Sequence, residues 1–123
     1  MGFIRDYKDL IVWQRAGELE VCCADIIARL SGPARREVGA QIRRAANSVG
    51  ANIAEGHSRP GRGEYLQFIG YARASVKELE SHLLSLERLG YAAGPRLDRA
   101  LALCVECSKM LAVLRRRLAE RGA

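Results

Sequence analysis

One stretch, Gln41 to Arg59, limits what this chain can fold into. It has the period of a helix, yet Ala45, Ala46, Ser48, Gly50, Ala51 and Ala54 are all small. Ile42, Ala46, Val49 and Ile53 fall at steps of four, three and four, which makes one apolar face. Gln41, Arg44, Ser48, Asn52 and Glu55 form a second, polar stripe along the same helix. Gly39 and Gly50 each cost about 1 kcal/mol against alanine in a helix interior. Such a composition suits a helix approached by other backbones on more than one side, with an internal polar ladder. In the ladder, Arg44 and Glu55 are about three turns apart and cannot pair within one straight helix. Each needs a partner on another helix, and Glu78 and Glu80 are the candidates for the arginine. The ladder has two readings, hydrogen bonding that fixes register across helices or subunits or the lining of a site. The first is favoured.

The rest of the chain repeats the helical period. Leu10, Trp13, Ala16, Leu19, Cys23, Ile26 and Leu30 predict a first helix over about 6–30, capped by Asp6 or Asp9 and stopped by Gly32 and Pro33. The central helix is expected over 34–55, with Gly56 as its C-terminal glycine. Tyr65, Ile69, Ala72, Val76, Leu79, Leu83 and Leu86 alternate steps of four and three without a break, which gives a third helix over 63–89. Leu97, Leu101, Cys104, Leu111, Leu114 and Leu118 mark a fourth over 96–120, with Ser108 in the gap. Four long helices with short turns predict an all-α fold, an antiparallel up-down four-helix bundle, as one domain over 1–123. No apolar run approaches the roughly 18 residues of a membrane helix. Met1 to Asp9 carries charges and no apolar signal core, so a cytoplasmic protein with no membrane partner is expected.

The second and third helices carry a specific resemblance. It rests on Gln41-Ile42-Arg43-Arg44-Ala45-Ala46, Ser48, and Ala51-Asn52-Ile53-Ala54-Glu55-Gly56. It continues through Arg59, Glu64-Tyr65, Phe68, Ala72-Arg73, Ser75 and Glu78-Leu79-Glu80, with Trp13, Pro33 and Glu37 upstream. In these residues the chain resembles the small bacterial proteins encoded within 23S rRNA intervening sequences. The resemblance implies an antiparallel four-helix bundle assembled as a homopentamer. A related family, the accessory variability determinant proteins of diversity-generating retroelements, implies basic barrels that bind nucleic acid and a reverse transcriptase. Three positions depart from the pattern. Gly61 stands where Ser or Thr often caps the third helix, Ser58 where glycine is common, and Ala74 where glycine is frequent.

Chemistry-bearing residues are few. Cys22-Cys23 and Cys104-x-x-Cys107 invite a zinc reading, but Cys23 and Cys104 occupy apolar-face positions, where cysteine serves as a small buried hydrophobe. Core packing is the expectation, with no metal and no cofactor. Glu55 and His57 could be drawn as an acid/base pair for phosphodiester cleavage, but no second basic or metal-binding cluster accompanies them. The expectation is therefore a non-enzymatic protein with no catalytic residues.

Charge points to a partner. The chain has 20 basic against 14 acidic residues, a net charge of +6, and 17 of the basic residues are arginine. Arginine forks match phosphate geometry. One basic set is Arg35, Arg36 and Arg43 with Arg59 and Arg62; the other is Arg115, Arg116, Arg117 and Arg121. Five copies in a ring would repeat each arginine into a positive belt. With few aromatics for stacking, binding would be led by phosphates rather than sequence. The reading is an oligomeric protein binding RNA or other nucleic acid. The rival is a scaffold that docks an enzyme such as a reverse transcriptase.

Overall fold

The computed structural model describes residues 5–121. A short 3-10 turn at Tyr7–Asp9 leads into four helices: α1 (Ile11–Ala28), α2 (Gly32–His57), α3 (Arg62–Arg88) and α4 (Pro95–Glu120). Each packs on two neighbours, α1 on α2, α2 on α3, α3 on α4 and α4 back on α1, so the bundle is a closed up-down square. The buried small residues of α2 are accounted for by this position between α1 and α3. Ala45, Ala46, Val49 and Ile53 are buried, while Ala51 on the outer face is exposed.

The core is built from the expected faces, including Leu19, Ile42, Ile53, Ile69, Leu79, Leu83 and Leu111, all fully buried. Each such side chain contributes about 1.5–3 kcal/mol relative to exposure. On α4 the stripe is wider than the sequence period suggests. Ala100, Leu103 and Cys107 are buried, whereas Leu101 and Leu114 are only partly so. Ser108 lies at the margin because Cys107 beside it fills the core position.

Helix ends differ from expectation at three places. α1 begins at Ile11, because Asp6 instead caps the 3-10 turn: its carboxylate accepts from the Lys8 amide at 2.9 Å. α2 starts earlier, with Gly32 at φ +58 directly before Pro33. It also runs through Gly56 to His57, so Gly56 is not a terminal glycine. A Cβ on Gly56 would lie 2.8 Å from the Phe68 Cβ and 3.1 Å from the Tyr65 ring. Glycine stands there because α3 crosses too close for a side chain. The α3 end matches its sequence signal. Gly90, at φ +76, donates its amide to Glu87 and Tyr91 donates to Leu86, the paired bonds of a Schellman stop.

The departures from the family pattern fit without strain. Gly61 is the N-cap of α3 and supplies no side-chain bond. Ser58 has right-handed helical angles that need no glycine, and its hydroxyl donates to the Glu55 carbonyl at 2.8 Å. Ala74 points to solvent.

Candidate nucleic-acid interface

The arginines fall into different groups in space than along the chain. Arg35 and Arg59 are separated by almost the whole of α2, about 36 Å at 1.5 Å per residue. Arg35 and Arg36 thus lie at one end of the bundle, whereas Arg59 and Arg62 lie at the other, beside the end of α4. Arg59, Arg62 and Arg121 line one groove of about 320 Å³ with Tyr65 and Leu118. Arg73, Arg115 and Arg116 line a second, of about 280 Å³, over Leu66, Ala112 and Ala119. Both open on the α3–α4 side. Arg117 faces the α1 side of α4, and Arg43 shares a shallow concavity with Arg44, Glu20, Ala40 and Asn47.

These cations are not equally available. Arg59 bonds Glu55 at 2.9 Å, reaches Glu64 at 3.6 Å, and places its guanidinium 4.9 Å from the Phe68 ring centre. It ties the end of α2 to the start of α3. Glu55, expected to need a partner on another helix, finds it one turn ahead in Arg59. Among the described residues, Arg62, Arg73, Arg115, Arg116 and Arg121 form no ion pair. Arg73 belongs to neither basic set of the sequence, although a signal for its place exists. Folding the chain back at the Gly90–Gly94 turn sets Arg73 opposite the Ala112 region and Arg62 opposite Arg121.

The polar ladder is shorter than its stripe. Ser48 and Ser75 share a hydrogen bond at 2.8 Å, and the Asn52 amide donates to the Ser48 carbonyl and hydroxyl at 2.8 and 2.9 Å. Ser75, the buried cross-helix partner, completes a polar tie between α2 and α3. Gln41, Arg44 and Glu55 are exposed. The carboxylates expected for Arg44 are engaged elsewhere, Glu78 with His82 at 3.4 Å and Glu80 with Lys77 at 3.7 Å.

Glu55 and His57 do not converge: Glu55 holds Arg59, and the His57 ring stands edge-on to Tyr65 at 5.8 Å. Burial raises the Tyr65 phenol above its usual range, with Arg121 opposing, so it remains a neutral group beside the cationic groove. Cys23, Cys104 and Cys107 are core residues. Burial pushes the Cys107 thiol up to about 11 and that of Cys104 to about 12, and raises Cys23 further. Neutral thiols of this kind are poor nucleophiles and poor metal ligands. No group of three or more metal-capable side chains is found among the described residues.

What the site can do chemically is hold anions. Its free groups are guanidiniums, its floor is alanine and leucine, and no ring in either groove is open for base stacking apart from the half-buried Tyr65. No helix among the described residues is long and apolar enough to cross a membrane.

Comparison with known proteins agrees with this architecture. A crystal structure of a protein of unknown function from the S23 ribosomal protein family of Bacteroides thetaiotaomicron superposes with a TM-score of 0.76 at 22% identity. The match covers 85% of this chain and 97% of that one, and at that identity it speaks for the fold alone. A search of curated proteins gave no significant match. The profile of the 23S rRNA-intervening sequence proteins matches residues 8–113, nearly the whole bundle. The chain therefore belongs to the 23S rRNA-intervening sequence protein family.

Proposed function

We propose that this protein is a non-enzymatic, homo-oligomeric accessory protein that binds structured RNA through phosphates. The observation that carries the reading is the set of unpaired arginines on the α3–α4 side: Arg62, Arg73, Arg115, Arg116 and Arg121. A guanidinium held by a carboxylate has little left to offer a phosphate, so these five are the binding groups and Arg59 supports the turn that presents them. Assembly into a ring, a pentamer by family resemblance, would repeat the patch and add avidity to a modest single-site affinity. The family's link to 23S rRNA supports an RNA ligand.

Titration of a labelled, structured RNA at two salt concentrations tests the reading. Binding should weaken steeply with salt, and each arginine changed to alanine should lower the salt slope by about one. Arg35→Ala with Arg36→Ala, at the far end of the bundle, should change the slope less than Arg115→Ala with Arg116→Ala. Absence of binding at low salt, or binding without a salt slope, would end the proposal.

A further inference from the structure

We infer that the open end of the α1–α4 seam docks an amphipathic helix of another protein, one whose apolar face is flanked by carboxylates. This does not rest on the RNA reading, because the surface is a different one. The seam ends in a groove of about 360 Å³, floored by Leu10–Val12 at the start of α1 and by Met110, Val113 and Leu114 on α4. Ile11 is 59% exposed there. Met110, Val113, Leu114 and Arg117 follow i, i+3, i+4, i+7, so α4 gives the groove one continuous stripe, half-buried at its three apolar residues, the geometry that receives a helix laid alongside. Methionine in such a floor adapts to the shape of its guest.

The charge around this floor has one sign. Among the described residues, Lys109 and Arg117 are the charged groups lining the groove, about 12 Å apart along α4. Neither forms an ion pair among the described residues. The N-terminus of α1 opens on the same groove. Its cap residue Leu10 makes no side-chain cap bond, and its first turn holds no acidic residue. The positive end of the helix dipole is therefore uncompensated by the helix itself. Asp6 is occupied by Lys8 at 2.8 Å, and Asp9 precedes the helix without lining the groove. A phosphate backbone would satisfy the cations but leave the apolar floor wet. A helix with leucine-like side chains two turns long and a carboxylate at each end satisfies both.

A second copy of this chain fits less well. Among the described residues its most exposed large apolar side chain is Val21, at 71%, which lies between Glu18 and Asp25 along α1. Those carboxylates are already held by Arg15 at 2.8 Å and Arg96 at 2.7 Å.

The test uses the full chain and a fluorescein-labelled synthetic helix of about five turns, with leucines at i, i+3, i+4 and i+7 and glutamates flanking them. One control carries lysine for glutamate, another alanine for leucine. The glutamate peptide should bind in the micromolar range, roughly tenfold or more tighter than either control. Ile11→Glu should abolish that binding while RNA binding stays unchanged. The exposed pair Lys109→Glu and Arg117→Glu should shift preference to the lysine peptide, an outcome that misfolding cannot produce. Equal binding of the glutamate and lysine peptides would overturn the inference. So would binding insensitive to Ile11→Glu in a folded variant. Sedimentation showing that Ile11→Glu breaks up an assembly of this chain would assign the groove to a second copy and also overturn it.

Discussion

The α2–α3 seam and the α1–α4 seam share one helical period and close in opposite ways. Along α2–α3 the side chains shrink until backbones nearly touch, at Gly56 against Phe68 and Tyr65. A half-buried polar tie, Ser48 to Ser75 with Asn52, then fixes the register. Along α1–α4 the ties are surface ion pairs, Arg15 with Glu106 at 2.9 Å and Arg96 with Asp25 at 2.7 Å. The interior there is thiol and aliphatic, and one end gapes into an apolar groove. Close approach leaves no room for a ligand and gives specificity to the fold; the looser seam leaves surface for a partner.

Alkali should separate the seams most strongly. Cys23 of α1 and Cys104 and Cys107 of α4 are buried, whereas α2–α3 has no buried thiol and holds only the half-buried Tyr65 phenol, which burial also raises. Unfolded thiols ionise near 9, whereas Cys107 and Cys104 hold their protons to about 11 and 12. The folded state therefore binds more protons in that window. The contribution is fully present below pH 9 and is lost as pH climbs toward 11–12, at up to about 1.4 kcal/mol per pH unit for each thiol. Urea midpoints at neutral and alkaline pH would measure the fall, and Cys104→Ala should flatten it. An unchanged slope would mean the thiols are open to water.

Glycine substitution comes next in size. Gly56→Ala should cost about 1–3 kcal/mol by overpacking against α3. Gly17→Ala on α1, where nothing lies within 4 Å of the added Cβ, should stabilise by about 0.5–1 kcal/mol. Thermal melts compare the two. A loss of stability or of assembly at Gly17→Ala would show that a neighbouring subunit comes close there, which would sharpen the oligomer proposal.

The smallest effect concerns the ties themselves. Ser75→Ala should cost about 1 kcal/mol, since it leaves Ser48 without its cross-helix partner. A double-mutant cycle with Ser48→Ala should return a coupling of about 0.5 kcal/mol or more. Arg15→Ala, which removes exposed pairs, should cost about 0.2–1 kcal/mol. Equal losses at both seams would erase the distinction.

Much of the fold was legible because burial imposes periodicity on one chain at a time. The stripe from Tyr65 to Leu86 is core in the structure, apart from the half-buried Tyr65, and the Leu89-Gly90 stop lies where the sequence puts it. Gly56 reads as a terminal glycine in the sequence because a capping glycine and a close-contact glycine look alike until the facing helix is placed. Asp6 reads as an α-helix cap in the sequence because local capping can serve a 3-10 turn as well as an α-helix. The candidate site was legible as composition only. Arg59 and Arg62 are near neighbours in sequence, yet one is spent on Glu55 and Glu64 and the other is free.

By itself, the sequence determined four amphipathic helices, their order, their short turns and a surplus of arginine, since each is a property of local period or of charge. The tertiary structure alone decided that Ser48 meets Ser75, that Gly56 is a crossing point, and that Arg62, Arg73, Arg115, Arg116 and Arg121 gather on one side. Those outcomes depend on distances between residues far apart in the chain. Such distances are fixed when helices choose their neighbours and axial register, a choice that no single helix encodes.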